Sequence, residues 1–355
     1  MKICHVTSVH SSTDVRIAVK ECPSLAEAGY DTYLVAPGKS REENGVHIVG
    51  IGDSPINRIK RILTFSEEAY QKALSLNCVV YHLHDPELLP YGLKLKKRGK
   101  IVIFDSHEDI PAQIRDKYWI PKALRQIVAT AYSKYQAYAL RHFDAVIAAT
   151  PYIAERLKSC ANKVVIVNNY PKLDDIAFQD KPFFQREKII GYAGSLDDNR
   201  GRKVVVEAMK SIDGKLYLAG NETIEGYENI VNCGVLNREE VNKLYENSRM
   251  GIVLYQPAAN HYKAQPVKMF EYMAAGLPVV ASNFPLWQDI VAKNQCGICV
   301  EPTNPAQVSE ACNKLLNDPG LAEEMGRNGR KAVETVYNWE KEKQVLLKLY
   351  QDLTG

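Results

Sequence analysis

Nothing in this 355-residue chain approaches the about 18 consecutive apolar residues of a membrane span. Its first residues, MKICHVTSVHSST, hold an apolar stretch too short and too polar for a secretory signal. Both absences point to a cytoplasmic protein. Strong charge is missing as well. The 45 basic and 42 acidic residues leave +3, short of the footprint of a dedicated nucleic-acid binder. Glycine (21) and proline (17) follow no period, which excludes collagen-like and low-complexity chains. Cys4, Cys22, Cys78, Cys160, Cys233 and Cys312 lie singly, and Cys296 with Cys299 forms a lone C-x-x-C. With no second pair to complete a zinc site and no redox-fold context, they read as buried free thiols.

Several chemistry-bearing patterns are also absent. There is no G-x-x-x-x-G-K-[ST] and no G-x-G-x-x-G, so ATPase and dinucleotide readings lose support. H-E-x-x-H is missing, which removes a metalloprotease, and there is no D-x-D to hold a metal-bound diphosphate.

What is present is ordinary globular material, 46% hydrophobic and 25% charged, enough for two cores of roughly 100–200 residues each. Short apolar runs alternate with helical patterns. KICHVTS, DTYLVAP, VVYHLH, KIVIFDSH and AVIAAT read as strands of a first set, with a helix from Val15 past Pro23 to a cap at Gly29 and a long one over about 120–142. After KVVIVNNYP a polar connector follows, and KIIGYAGS opens a second set with KLYLAG, NIVNCG, GIVLYQ, PVVAS and GICVEP. This alternation predicts an α/β protein of two doubly wound, Rossmann-like halves facing each other across a ligand-binding cleft. Residues 1–170 carry +6 and residues 171–355 carry −3. A basic first half suits an anionic lipid surface or a phosphorylated acceptor.

In the second half, QPVKMFEYMAAGLPVVAS (265–282) predicts a short helix with Pro266 at its first position, Gly276 as its cap and an apolar face of Val267, Phe270 and Ala274. Lys268 and Glu271 then share a face near a helix N-terminus, where a diphosphate is favoured. The plain alternative is a surface ion pair. In GYAGSLDDNRGRK (191–203), Gly194 and Ser195 turn a strand toward a helix and Arg200 is placed to reach a phosphate, although a βα turn with Gly and Arg is common.

In the first half, Ser11, Ser12 and Thr13 can cap a helix or bind a ligand, and Asp14 can pair with Arg16. HLHDPELLP and DSHEDIP place His82, His84, Asp85, Glu87, Asp105, His107, Glu108 and Asp109 at strand ends. That density marks a site, and H-x-H-D with H-E-D can be weighed as a divalent-metal set. Solvent-edge histidines are the simpler alternative. Between Arg115 and Arg141 six cations (Arg115, Lys117, Lys122, Arg125, Lys134, Arg141) face only Asp116, with Tyr118, Trp119, Tyr132, Tyr135 and Tyr138 interleaved. Such a surface can lie on an anionic membrane, or be a solvated helix with tyrosines in the core.

At these motifs the chain resembles the retaining glycosyltransferases of family 4, with the GT-B fold, of the bacterial surface-polysaccharide type. KMFEYMAAGLPVVAS followed by NFP, GYAGSLDDNRG, GVLNREEVNKLYENSRMGIVLY, STDVRI, HLHDPELLP and DSHEDIP carry the resemblance along nearly the whole chain. It implies an acceptor-side domain over 1–170, a nucleotide-sugar domain over 171–335 and a helix over 336–355 crossing back to the first domain. It implies a UDP- or GDP-linked sugar as donor substrate, a glycan or lipid-linked acceptor, no resident cofactor and no catalytic metal; the expected peripheral contact with the inner face of the plasma membrane rests on the basic first half and its basic, aromatic stretch.

Residue by residue, the resemblance makes His107, Arg200, Lys268 and Glu271 the catalytic set. Glu271 would hold the ribose, Arg200 and Lys268 the diphosphate, and His107 would face the donor sugar. Gly194 and Ser195 would offer backbone N–H groups, and Val235 and Leu236 would border the base. Ser12, Thr13, Asp14, Asp85, Glu108 and Lys263 fall at substrate-side positions. Three positions depart from the family: Lys263 stands where an E-x7-E pattern has its first glutamate, Ser195 stands where Gly-Arg is usual, and Ser11-Ser12-Thr13 replace the usual Gly-Gly after the first strand. A nucleotide-sugar 2-epimerase-like enzyme and a non-catalytic sugar-binding or scaffold protein are the rival readings.

Overall fold

Strands in this chain are runs of three to six residues, and the central ones are buried on both faces, as parallel sheets covered by helices require. The computed structural model describes residues 1–55, 57, 60–116, 120–178 and 181–355. Its contacts divide the chain into two units, Met1–Asn169 with Glu340–Gly355, and Tyr170–Trp339. The boundaries therefore fall at 169/170 and 339/340, against the expected 170/171 and 335/336.

The first unit is built on β1 (Lys2–Val6), β2 (Asp31–Ala36), β3 (Arg41–Glu43), β4 (Val46–Gly50), β5 (Val80–Leu83), β6 (Ile101–Ser106), β7 (Ala145–Ala148) and β8 (Val164–Ile166). Among the described residues the order is β3-β4-β2-β1-β5-β6-β7-β8. Neighbours are parallel except β3 and β4, which pair antiparallel. That edge hairpin turns at Asn44 and Gly45, both at positive φ (50° and 74°), the backbone an Asn-Gly turn supplies. One sheet face packs Cys4, Val6, Tyr81, Leu83, Val102 and Phe104 into the main core. Because successive side chains alternate, His5, His82 and Asp105 fall on the other face.

The second unit has β9 (Ile189–Ala193), β10 (Lys215–Ala219), β11 (Ile230–Gly234), β12 (Met250–Val253), β13 (Val279–Ser282) and β14 (Gly297–Val300). They run parallel in the order β11-β10-β9-β12-β13-β14. Alternation is visible in β13: Val279 and Ala281 enter one core and Val280 the other. Each half is thus a sheet, parallel but for the β3–β4 edge, with a core on each face, the α/β class expected. All eight cysteines are free, as expected, and burial pushes the thiols of Cys296 and Cys299 up to about 12 and about 11.

Local starts and stops follow capping chemistry. The first helical segment (Val15–Glu21) is capped by Asp14, whose Oδ1 accepts from the backbone N–H of Arg16 and Ile17. Ser11, Ser12 and Thr13 do not cap it, because Asp14 stands one residue nearer and reaches both orphan donors. Cys22–Glu27 continues this helix with Pro23 in its first turn. Gly29, at φ +89°, closes it: Gly29 N–H donates to Ala26 and Tyr30 N–H to Leu25.

Candidate active site

In the second unit the site grows from the carboxyl end of β9. Gly194 follows the strand at φ +119°, and its N–H donates to Ala219 O at 2.7 Å. It therefore holds β10 rather than offering a donor to a phosphate, contrary to the role expected of it. Its missing side chain matters instead: a Cβ there would lie 2.5 Å from Lys268 Nζ. Ser195 Oγ donates to Glu222 Oε1, and Tyr192 Oη donates to Ser195 O at 2.7 Å. Asp197 then caps a single turn over Asp198–Arg200, and Gly201 at φ +84° opens the helix Arg202–Met209.

Arg200 donates from Nη1 to Asp197 Oδ2 at 2.5 Å and stands 6.0 Å from the Tyr255 ring centre. Lys268 and Glu271 come from the helix Val267–Ala274. Pro266 is the residue before this helix, with extended ψ 120°, rather than its first residue. Phe270 and Ala274 are buried as expected and Val267 only partly, while Met269, Tyr272 and Met273 are buried too. The helix is thus enclosed on more than one stripe. It ends at Gly276 as expected, with Gly276 N–H on Met273 O and Leu277 N–H on Tyr272 O.

Lys268 Nζ donates to Ala193 O and lies 4.2 Å from the Tyr192 ring centre. Burial pushes its ammonium down to about 8, Glu271 opposing and the Arg200 charge reinforcing the shift. So the structure brings Lys268 onto the loop after β9, within the field of Arg200. The i,i+3 pair of Lys268 with Glu271 does not form. Glu271 Oε1 instead accepts from Arg238 Nη2 at 3.2 Å, a residue that sequence reasoning passed over, as it did Glu222. After β11, Val235 is 72% exposed and Leu236 is partly buried. Both precede a capping box in which Glu240 N–H donates to Asn237 and Asn237 N–H to Glu240. Lys263 is exposed, in the single turn His261–Lys263.

In the first unit, register gathers the polar strand ends. His5 is paired with His82 across β1 and β5, and Leu83 with Phe104 across β5 and β6. His107 follows β6, largely buried, with Nε2 3.0 Å from Asp105 Oδ2 and 3.2 Å from His84 Nδ1. Arg16 clasps Asp105 through Nε (2.8 Å) and Nη2 (3.0 Å) and donates from Nη1 to Val167 O. Its side chain pairs with Asp105 and Glu21 and not with Asp14, which takes only its backbone N–H. Burial acts to raise the Asp105 carboxyl, but Arg16 and His107 outweigh it and leave it well below the usual range.

Asp85 is buried, and its Oδ2 accepts from Thr7 Oγ1 (2.8 Å), Ser8 N–H (2.6 Å) and Val9 N–H (3.2 Å). It organises the loop after β1. Ser12 is buried and accepts from Arg41 Nη1, whereas Thr13 is exposed. His10, unremarked in the sequence, joins this group: it lies 3.2 Å from Asp14 Oδ2 and 4.8 Å ring to ring from His107. Its imidazolium is favoured, since Asp14, Asp85 and Asp105 together overcome the opposing effect of burial. Glu108 borders a cavity of about 160 Å³ lined also by Ser106, Asp109, Gln136 and Arg156. The metal set weighed over residues 82–109 is assembled in part: His84 and His107 meet Asp105, and His84 also lies beside His82. Glu87 pairs with Arg61 and Asp109 with Arg156, while Asp85 is consumed in the loop.

The comparisons with known proteins decide the family. The profile for Glycosyl transferases group 1 matches residues 174–332, and that for Glycosyltransferase Family 4 matches residues 15–170. The chain belongs to the GT-B glycosyltransferases. This glycosyltransferase is 26% identical over 208 residues to the glycosyltransferase MJ1607 of Methanocaldococcus jannaschii, a match covering 51% of the chain and 52% of that relative. It thus spans about half the length of that relative. It is 27% identical over 152 residues to TuaH of Bacillus subtilis, named for teichuronic acid biosynthesis, covering 39% of the chain and 38% of TuaH. In fold it matches sucrose-phosphate synthase of Thermosynechococcus elongatus (TM-score 0.79, 18% identity, 99% of each chain). It also matches Anabaena HepE, solved with UDP-glucose (TM-score 0.73, 10% identity, 99% of this chain and 100% of HepE).

Proposed function

We propose that the enzyme transfers a hexosyl group from a UDP- or GDP-linked sugar to a hydroxyl of a glycan or lipid-linked acceptor, with retention, in cell-surface polysaccharide assembly. The observation that carries this is Lys268. An ammonium held against Ala193 O, beside a glycine that leaves it room, is a counter-charge waiting at the end of β9. Arg200 supplies a second cation and Glu271 a carboxylate for ribose hydroxyls. Val235 and Leu236 border the base. HepE, solved with UDP-glucose, and TuaH, named for polysaccharide chemistry, support the donor and acceptor classes.

The hard step is departure of the nucleoside diphosphate. The C1–O bond to phosphate breaks as the acceptor oxygen bonds C1 on the same face, and the departing phosphate takes the acceptor proton. Charge grows on the leaving oxygen, where Lys268 and Arg200 are preorganised. Loss of one such donor costs on the order of 10²-fold in rate. In the first unit Asp105 orients His107, the residue that the family resemblance assigns to the donor sugar, and the cavity beside Glu108 offers polar groups to the acceptor. No metal is needed for these charges to be met.

Radiolabelled UDP- and GDP-hexoses, incubated with polysaccharide and lipid-linked glycan acceptors, test this reading. A glycoside that keeps the donor's anomeric configuration supports it. Formation of an epimerised nucleotide sugar without acceptor, or binding of free hexose but of no nucleotide, would overturn it.

The membrane contact rests on the helix Lys122–Leu140. It buries Ala129, Gln136, Ala139 and Leu140 and exposes Leu124, Ile127, Val128, Tyr135 and Tyr138 beside Lys122, Arg125 and Lys134. Tyr132 packs against the core. Lys117, Tyr118 and Trp119 lie outside the described residues. No described helix is long and apolar enough to cross a membrane. The protein should co-sediment with phosphatidylglycerol vesicles and not with phosphatidylcholine vesicles, and I127D should abolish it. Equal sedimentation with both lipids would remove the membrane from the proposal.

A further inference from the structure

Behind the first sheet, on the face opposite its main core, lie four side chains that the transfer reaction does not use. His5 comes from β1, His82 from β5 and His84 from the residue after it, and Glu21 from the first helical segment. All four are buried, three of them completely, and one ligand atom from each lies within 4.8 Å of every other. His5 Nδ1 is 2.9 Å from His84 Nε2 and 3.8 Å from Glu21 Oε2, and His84 Nε2 is 4.0 Å from Glu21 Oε2. A tetrahedral ion with bonds of about 2.0–2.1 Å separates its ligand atoms by about 3.3 Å, in the middle of these spacings.

Three atoms here lack what burial demands. Neither carboxylate oxygen of Glu21 receives a hydrogen bond from the described residues, and neither does His82 Nε2 have a partner. Glu21 Oε1 lies 3.0 Å from Arg16 Nε, but that nitrogen has one hydrogen and gives it to Asp105 Oδ2. Arg16 thus faces two buried carboxylates and hydrogen-bonds only one.

The outer nitrogens, by contrast, are all held. His5 Nε2 and His82 Nδ1 both meet Tyr350 Oη, at 3.2 and 3.0 Å, and His84 Nδ1 meets His107 Nε2 at 3.2 Å and Asp105 Oδ2 at 3.4 Å. Metal-bound imidazoles are oriented in this way, by a partner on the nitrogen that does not bind.

We propose that His5, Glu21, His82 and His84 form a closed, four-coordinate structural Zn2+ site that ties the first helix to β1 and β5, separate from the transfer chemistry. Three imidazoles and one carboxylate with no open position suit zinc rather than Mg2+ or Ca2+, which prefer oxygen. The second possible set, His84, Asp105 and His107, is weaker because Asp105 is already clasped twice by Arg16.

Tag-free protein, purified without chelator, should contain about one equivalent of zinc by plasma mass spectrometry. Unfolding and refolding in chelator should remove it and lower the melting temperature by several degrees, and Zn2+ added back should restore both. E21Q and H82A should each bind less than a tenth of an equivalent. If wild type binds no zinc even after refolding with Zn2+, or if E21Q and H82A keep the full equivalent, the proposal is wrong. E21Q also separates the metal from a neutral, protonated Glu21. The amide copies the protonated acid, so a metal-free network would leave the E21Q melting temperature unchanged in chelator and in Zn2+ alike.

Discussion

Lys268 shows how burial tunes a single side chain at the proposed donor site. Its ammonium, pushed to about 8 from an ordinary 10.5, is still charged at neutral pH but loses its proton within reach of assay conditions. The folded value lies below the unfolded one, so between about 8 and 10.5 the unfolded chain binds more protons. Stability owed to this group therefore rises with pH across that window. Binding has the opposite sign, because a diphosphate requires the charged form. Affinity for UDP should fall as pH passes from 7 through 8 to 9, and K268M should bind weakly with a flat profile. An unchanged wild-type affinity over that range would remove Lys268 from the diphosphate. In sequence, Lys268 and Glu271 read equally well as a surface pair. Only the fold reveals that Lys268 points to Ala193 and that Glu271 is held by Arg238, 33 residues away along the chain. Side-chain direction, not residue type, was the missing information.

Among the elements, loops and caps separate what the sequence encodes locally from what packing decides. Gly201 and Gly29 both have positive φ, +84° and +89°, but their surroundings differ. A Cβ at Gly201 would fall 2.4 Å from Leu254 O, whereas at Gly29 nothing lies within 4 Å. G29A should cost only the left-handed conformation, about 1 kcal/mol. G201A adds a backbone clash, for a total on the order of 3 kcal/mol. At about 2–4 °C per kcal/mol, the G201A melting temperature should fall clearly further. Equal losses in thermal unfolding would show that the Leu254 approach is relieved at no cost. The Gly29 cap was legible from sequence, and so were the strands of both sheets except β8, within KVVIVNNYP, and the hairpin. There the signal was present, an Asn44-Gly45 turn before VHIVG, but REE carries too little apolar character to announce a strand. Asp14 as cap was hidden by three competing hydroxyl residues directly before it.

For the molecule as a whole, composition and alternation disclosed two α/β units, because parallel sheets need apolar strands and covering helices wherever they occur. The buried histidines were less legible. His82 and His84 stood out in sequence, but His5 and Glu21 become their neighbours only through the register of β1 on β5 and the return of the first helix. A calorimetric titration of UDP and GDP into wild type, R200A, K268A and E271A tests the central claim most directly. The account predicts one nucleotide bound per wild-type chain and an affinity at least about tenfold weaker in each variant, as loss of a charge-assisted contact implies, with melting temperatures nearly unchanged. Equal affinity in all four proteins would contradict it.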